Sequence, residues 1–398
     1  MSVTETPDVQ LGKVEKPALA VGIAAALALV LLGVLDSDPQ HLQFFRSYLF
    51  GYVFWISFPL GSLALLMLHH LSGGGWGYVI RRLCEASSRT FLLMALLFLP
   101  LFFGISKLYK WTNPGWAQTT HSEFKAMYLM PGFFRGRAVL YFAVWILLGY
   151  LLSKWSLEQD RTGDGAINNR MEALSAPGLI LYGLTTTFAV VDWVMSLEPE
   201  WTSTMYGLIF LVIQVFTALA FSIVVARRFS EHEPLASVGS SSRFHDLGTL
   251  LFAFTMLWAY LSFSQFLIIW AGNLKSEIPW YMHRVMGEWA GVATFLLVFH
   301  FFVPFFILLS RPLKRRKHML AVVAGAMILI SMVDIFWLIM PAFFPSAAMN
   351  AMDFLAALLA AAAIGGIWLW AFAREVRGRP LVPLHDPNME VVAVEHGA

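Results

Sequence analysis

The sequence predicts an all-α integral membrane protein with ten transmembrane helices, and its composition together with its series of apolar stretches supports this fold class. Hydrophobic residues make up 58% of the 398 residues and charged residues only 13%, with a mean hydropathy of +0.67. A soluble domain would carry about 25% charged residues. Since one helical crossing takes about 20 residues, the apolar content suffices for about ten helices and little else.

Each apolar stretch is long enough, or nearly so, to cross a bilayer as a helix, which satisfies its own backbone hydrogen bonds in lipid. The stretches are 17–35, 47–69, 90–108, 138–153, 177–197, 204–226, 247–272, 287–310, 319–341 and 353–373. The weakest is 138–153, which needs flanking residues to reach across. The first is expected to be a retained span, because its apolar run is too long for a signal peptide and its flank carries both charges.

The distribution of Lys and Arg predicts that both termini are cytoplasmic. The N-tail, the loops after spans two, four, six and eight, and the C-tail hold 19 of the 27 Lys and Arg residues. The opposite side holds Arg46, Lys107, Lys110, Lys125, Arg135, Arg137, Lys275 and Arg284. Cytoplasmic loops carry the excess of positive residues.

Several function classes are excluded by residue content. A formal charge of +2 gives no indication of nucleic acid binding. The single cysteine, Cys84, excludes a disulfide framework, a thiolate zinc site and an iron–sulfur cluster, which all need several thiolates. No metal site is predicted, and no Cys-x-x-Cys-His run is present to attach a haem covalently. Any redox role therefore depends on a bound quinone or on a neighbouring subunit.

Two sequence matches suggest an internal repeat. Spans two and six have a similar pattern at the same spacing. It is Ser47, Phe50, Gly51, Val53 and Phe54 in span two, and Ser203, Tyr206, Gly207, Ile209 and Phe210 in span six. Spans five and nine share a more specific pattern, a Val-Asp pair followed by proline, at Asp192 and Pro199 and again at Asp334 and Pro341. Copies separated by four spans have the same orientation, which predicts two parallel four-helix bundles, spans 2–5 and 6–9.

The predicted organisation follows from this repeat. Spans one and ten would then be peripheral additions to the two bundles. The predicted segments are a cytoplasmic N-tail 1–16, a peripheral helix 17–35, a first bundle 44–199, a second bundle 200–341, a peripheral helix 342–373 and a cytoplasmic C-tail 374–398.

Four ionisable residues fall in or beside the apolar spans: Asp192, Asp334, Glu288 and His300. At about 1.5 Å per residue, Asp192 and Asp334 lie at matched depth, roughly 22 Å from the cytoplasmic start of their spans. His300 lies about 15 Å from the cytoplasmic side and Glu288 at the outer end of the same span. They do not share a helix face, so a path joining them must pass through another helix or water.

An ionisable group in lipid costs about 2.5–3.5 kcal/mol, so these side chains are expected to face the protein interior. Burial there favours a neutral carboxylic acid, which can give and accept a proton. The functional hypothesis is a proton path, and the alternative is a set of buried hydrogen bonds that tie helices together. Partners for such bonds would be Tyr182, Thr185, Thr186, Thr187, Tyr260, Ser262, Ser264 or Gln265. For Glu288, solvation at the interface is a sufficient explanation.

Five segments carry a family resemblance. They are LALLMLHHLSGGGWG (63–77), IRRLCEASSRT (80–90), DWVMSLEPEWTSTMYG (192–207), WAYLSFSQFLIIWAGNLKSEIPWY (258–281) and FHFFVPFFILLSRPLKR (299–315). Together they resemble the F subunit of bacterial alternative complex III, a quinol:cytochrome c oxidoreductase, over roughly residues 15–380. That subunit belongs to the NrfD/polysulfide-reductase membrane-subunit family.

The resemblance implies ten helices with two four-helix bundles, located in the bacterial inner membrane. It implies as partners multihaem and monohaem c-type cytochromes, an iron–sulfur subunit, a second NrfD-like subunit, small membrane subunits and membrane lipids. No covalently bound cofactor is implied; quinone or structural lipids are the noncovalent candidates, and no quinone-binding residues are assigned. In that family the quinol site is generally assigned to the other NrfD-like subunit.

The leading expectation is a subunit that scaffolds the complex and conducts protons through the four ionisable residues, without a redox centre of its own. One alternative is a second quinol-oxidising site, with Glu288 and Asp192 accepting protons near the outer face. Another is a stand-alone secondary transporter. Transporters interrupt matching helices with glycine or proline, whereas Pro59 and Pro304 do not occupy matching positions in the repeat.

Overall fold

The computed structural model describes residues 7–35, 41–120, 122–345, 349–383, 385, 386 and 389. Within these ranges all regular structure is helical, and ten helices are long and apolar enough to cross a membrane. They are α1 (Pro7–Leu35), α2 (Leu42–Ser72), α3 (Gly75–Phe103), α4 (Pro131–Thr162), α5 (Ala166–Leu197), α6 (Tyr206–Phe229), α7 (Ser241–Gly272), α8 (Trp289–Leu309), α9 (Lys317–Ala342) and α10 (Ala351–Val376). The predicted all-α class and the predicted number of ten candidate spans are confirmed, and the ten helices fit a multi-pass membrane protein.

Short helices connect the long ones. They are Ile105–Leu108, Lys110–Thr112, Trp116–Thr119, Glu123–Tyr128, Leu235–Val238, Ile278–Val285 and Arg311–Arg315. Parts of the predicted tails, residues 1–6, 384, 387, 388 and 390–398, lie outside the described residues.

The weakest predicted span, 138–153, belongs to a helix of 32 residues, α4. Pro131 occupies its first position, where a missing N–H has no helical partner to lose. Gly163 ends the helix in the left-handed conformation, with φ of 69°. The flanking residues that the sequence required are therefore helical, and α4 is long enough to cross.

The helix α3 begins well before the predicted span 90–108. The prediction missed the first half of this helix because that half is charged. It consists of the helical segments Gly75–Ser88, Phe91–Leu97 and Leu99–Phe103. In the first of these, Arg81, Arg82 and Glu85 are buried and paired with one another. Hydropathy assigns such residues to water, whereas ion pairs offset part of the cost of burying them.

The helices α2 and α6 are the most enclosed, with 94% and 72% of their most apolar windows buried. They pack against each other, and α2 also contacts α3, α5 and α10, while α6 also contacts α7 and α9. A Cβ added to Gly61 of α2 would lie 2.0 Å from the carbonyl oxygen of Gln214 in α6. Glycine therefore sets the close approach of these two helices, as small residues do in membrane helix pairs.

Replacing Gly61 with alanine is expected to destabilise the protein by about 1–3 kcal/mol, because the added methyl group meets backbone that cannot rotate away. Unfolding in mixed micelles, followed by circular dichroism, measures the change. The matched control is Gly183→Ala in α5, where an added Cβ has no other atom within 4 Å. Equal stability of the two variants would contradict the proposed role of Gly61.

Candidate proton-transfer site

Three helices bring His300, Asp334 and Trp258 together inside the protein. Asp334 of α9 is 2% exposed and His300 of α8 is fully buried, with 3.3 Å between His300 Nδ1 and Asp334 Oδ2. Trp258 of α7 donates a hydrogen bond from Nε1 to the same carboxylate oxygen, at 2.8 Å. Its ring also lies against the imidazole, with 4.0 Å between centroids. We call these three residues the His–Asp cluster.

A change of helix type places His300 in this cluster. Within α8, the residues Leu297–Phe302 form a π-helix between the α-helical segments Trp289–Leu296 and Val303–Leu309. A π-helical turn holds an extra residue, so it changes the direction of the side chains that follow, and such turns are frequent at functional sites. The sequence places His300 on a transmembrane helix but gives no signal for this turn.

The imidazole of His300 retains hydrogen-bonding capacity. Neither Nδ1 nor Nε2 forms a hydrogen bond with a described residue, although both atoms are buried. Leaving a buried polar group unpaired costs about 1–3 kcal/mol. A side chain that keeps two such atoms beside a carboxylate can receive a proton at one nitrogen and release one from the other.

Asp192 lies in a second buried cluster, near the C-terminal end of α5. Arg137 of α4 pairs with it through two bonds, Nε to Oδ2 at 2.9 Å and Nη2 to Oδ1 at 2.7 Å. Tyr141 donates its hydroxyl to Oδ2 at 2.7 Å. The sequence analysis uses Arg137 only in the comparison of positive charge between the two sides of the membrane. The expectation from sequence considered only the burial of the Asp192 carboxyl group. It did not include the cation that contacts this group directly.

Tyr128 covers the guanidinium of Arg137 from the connecting helix Glu123–Tyr128, with 3.7 Å between the guanidinium carbon and the ring centroid. Burial raises the pKa of Tyr128, and the negative charge of Asp192 raises it further. The phenol therefore stays protonated at physiological pH, and its ring provides a cation–π contact.

Replacing Tyr141 with phenylalanine is expected to destabilise the protein by about 1.5–3 kcal/mol, the usual contribution of a hydrogen bond to a charged group. Thermal unfolding in detergent tests this. Tyr150→Phe is the matched control on the same helix, because Tyr150 is 58% exposed. A loss of stability in both variants, or in neither, would contradict the role of the hydroxyl at Asp192.

Glu288 does not join either cluster. It is exposed, and it immediately precedes the first turn of α8. Negative charge is favourable at a helix N-terminus. A different carboxylate, Glu198, accepts a hydrogen bond of 2.7 Å from Arg284 Nη2. The sequence analysis does not single out Glu198.

Three of the eight partners proposed for helix-tying bonds are engaged with other residues. Tyr182 bonds Gln214 at 3.1 Å, Thr185 accepts from Trp145 at 2.9 Å, and Gln265 accepts from Ser203 at 3.0 Å. The first two bonds connect helices and the third connects the loop before α6 to α7, but none of them involves Asp192 or Asp334. Other partners tie both acids to neighbouring helices: Arg137 and Tyr141 connect Asp192 to α4, and Trp258 connects Asp334 to α7. The helix-tying alternative therefore holds, with partners other than those named from the sequence.

A cavity of about 480 Å³ opens between α5 and α7. Its polar lining includes Ser203, Gln265 and Glu277, and its apolar lining includes Val191 and Met195 on either side of Asp192 in sequence. Among the residues that the structure describes, no three His, Cys, Asp or Glu side chains come together to hold a metal ion. A second cavity, of about 330 Å³, is lined by Tyr128 as well as by Val191 and Met195, so two cavities adjoin the segment that carries Asp192.

A network of buried ion pairs lies at the first half of α3. Glu85 accepts bonds from Arg81 Nε at 3.2 Å, Arg82 Nη1 at 2.6 Å and Ser156 at 2.6 Å. Arg81 Nη1 also donates to Asp386 at 2.6 Å. The spacing of the two arginines, three and four residues before the glutamate, is the sequence signal that predicts one helical face. We call this group the α3 ion network.

Comparisons with known proteins were made against family models and curated proteins. No family model matches the chain, and no curated protein matches it.

Proposed function

We propose that this chain is an integral membrane subunit of a respiratory quinol:cytochrome c oxidoreductase of the alternative complex III type. It scaffolds the complex in the bacterial inner membrane, with both termini cytoplasmic, and conducts protons through the His–Asp cluster, with Asp192 and Glu288 further along the path. The observation that carries the proton role is the buried contact of His300 with Asp334, 3.3 Å apart. The five sequence segments carry the assignment to the complex.

Burial in membrane-crossing helices supports a functional reading of this pair. Ionisable residues within such helices are rare and generally mark ion or proton pathways. Imidazole accepts a proton at one nitrogen while it loses one from the other, so its net charge is restored after each transfer. The geometry places Nδ1 beside Asp334 and leaves Nε2 without a described partner.

We infer that the two halves of the chain are parallel repeats, each forming a four-helix bundle. In the first half, Asp192 of α5 pairs with Arg137 of α4. In the second half, Asp334 of α9 contacts His300 of α8. In each half, therefore, the acid on the last helix meets a basic side chain from the helix before it. The basic group is a permanently charged guanidinium in the first half and an imidazole in the second. An imidazole can exchange protons near neutral pH and a guanidinium cannot, so the second half is the one suited to proton transfer.

The partners proposed are those of the complex: multihaem and monohaem c-type cytochromes, an iron–sulfur subunit, a second NrfD-like subunit and small membrane subunits. The test is affinity purification of the full chain from its native membrane in mild detergent. We expect c-type haem absorbance and quinol:cytochrome c reductase activity to co-purify with it. A chain that purifies alone, without haem, would contradict the proposal and favour the stand-alone transporter.

A second candidate function is quinol binding within the same complex, favoured by the cavity of about 480 Å³ next to Asp192. Apolar pockets with a few convergent polar groups are the usual form of an organic ligand site. Gln265 is 2% exposed and lines this cavity, so its amide is positioned to bond a quinol head group.

Replacing Gln265 with leucine would then raise the KM for quinol, by about tenfold if one hydrogen bond of about 1.4 kcal/mol is lost. The steady-state quinol dependence of the purified complex measures this. Gln214→Leu is the matched control, since Gln214 is also buried and also accepts a side-chain hydrogen bond, from Tyr182, but does not line this cavity. An unchanged KM in the Gln265 variant would remove this candidate.

A further inference from the structure

A groove of about 480 Å³ lies against the end of α4 and carries four basic side chains. Arg89 comes from α3, Lys154 and Arg161 from the last turns of α4, and Arg379 from the segment after α10. We call it the basic groove. It is separate from the His–Asp cluster and from the cavity near Asp192, so neither proposed function uses it.

Two buried polar atoms at this groove have no hydrogen-bond partner. Ser153 is 2% exposed, and its hydroxyl forms no hydrogen bond with a described residue. Nη1 of Arg89 is likewise buried and unpaired. Native proteins leave few buried polar atoms unsatisfied. Two orphaned donors in one groove indicate a ligand that accepts hydrogen bonds.

The charges of the groove are not balanced by the protein. Glu375 contacts both Arg89 Nε, at 2.7 Å, and Arg379 Nη1, at 3.2 Å. Glu158 is the acidic residue of the lining. Lys154 and Arg161 form no ion pair within 4.0 Å with any residue that the structure describes. The groove therefore has more positive than negative charge, which suits an anionic ligand.

Apolar side chains exposed on α3 and α4 favour a lipid over a soluble anion. On α3 these are Leu92, Leu96, Leu99 and Phe103, and on α4 they are Leu140, Leu147 and Tyr150. The Phe91–Leu97 segment of α3 packs against α4, so these side chains belong to adjoining helices. Acyl chains can lie against such a surface while the head group occupies the groove.

We propose that the basic groove binds the phosphate head group of an anionic phospholipid, with Lys154 and Arg161 as its main charge partners and Arg89 and Ser153 as buried donors. Basic pockets between transmembrane helices bind such head groups in other membrane proteins. The lipid would fill the space between the end of α4 and the segment after α10, and so attach that segment to the rest of the chain.

The test uses the full chain, purified with its accompanying subunits and stripped of lipid by detergent exchange. It is titrated in mixed micelles with dioleoylphosphatidylglycerol, and bound lipid is counted by native mass spectrometry. We expect the double variant Lys154→Gln/Arg161→Gln to bind roughly 30-fold more weakly, since each cation near the membrane surface contributes about fivefold. The matched control is Arg170→Gln/Arg228→Gln, which removes two exposed cations outside the groove and should leave binding unchanged.

Two further probes identify the ligand chemistry. Dioleoylphosphatidylcholine has the same acyl chains without net charge, and glycerol 3-phosphate has the phosphate without acyl chains. We expect both to bind at least tenfold more weakly than phosphatidylglycerol. Equal binding of phosphatidylcholine, equal binding of glycerol 3-phosphate, or equal loss in the control variant would each overturn the proposal. Ser153→Ala, which removes only a hydroxyl, should weaken binding a few-fold and provides a second variant if the double variant fails to fold.

Discussion

Replacing Glu85 with alanine is expected to destabilise the protein by about 3–5 kcal/mol, the cost of removing one partner from a buried ion pair. Glu85 is fully buried and accepts bonds from both Arg81 and Arg82. Without it, two guanidinium groups that are 2% and 5% exposed lose their shared carboxylate. Water cannot replace the lost bonds without opening the packing of α3.

The effect should extend to the segment after α10. Asp386 accepts bonds from Arg81 at 2.6 Å and from Asn168 at 2.9 Å, and so connects this segment to α3 and α5. Asp160 pairs with Arg82 in the same network. We expect limited proteolysis near residues 377–386 to be faster in the Glu85 variant than in the parent.

Chemical unfolding in mixed micelles measures the stability change. Glu231→Ala is the matched control, because Glu231 pairs with Arg227 at helical spacing but is 68% exposed. Exposed pairs contribute about 0–1 kcal/mol. A Glu85 variant no less stable than the Glu231 variant would contradict the structural importance of the α3 ion network.

The positions of the ten helices could be predicted from sequence, because hydropathy over about 20 residues depends on local composition alone. The first half of α3 could not, since its charges are buried only through partners such as Asp386, which lies about 300 residues further along the chain. The same limit applies to the pairing of Arg137 with Asp192. Contacts of this kind depend on packing between helices, which a single sequence does not specify.

The candidate site was predictable in part. Asp192, Asp334 and His300 were identified because ionisable residues are costly in membrane helices. The contact between His300 and Asp334 was not predictable, because it depends on the π-helical segment Leu297–Phe302 and on how α8 packs against α9. Sequence position alone groups Glu288 with them, and the structure gives it no described contact with either acid.

Replacing Asp334 with asparagine is expected to slow proton translocation by about 100-fold or more, the lower end of the contribution of a positioned acid or base. Asparagine keeps the shape of the side chain and can still accept the bond from Trp258, but it cannot take up a proton. Assembly and electron transfer from quinol to cytochrome c at zero membrane potential should therefore persist.

A buried acid outside the proposed path controls for loss of charge alone. Asp353 is 3% exposed, pairs with Arg46 and completes the capping box at the start of α10. Asp353→Asn should lower stability without changing the number of protons moved per electron. The comparison of the two variants separates a proton-transfer role from a structural one.

The most direct measurement is the number of protons translocated per electron by the intact complex in sealed proteoliposomes, recorded with a pH-sensitive dye after a pulse of quinol. The proposal predicts that the ratio falls to the protons released by quinol oxidation alone in the Asp334→Asn complex and is unchanged in the Asp353→Asn complex. An unchanged ratio in a fully assembled Asp334→Asn complex would contradict a proton path through His300 and Asp334.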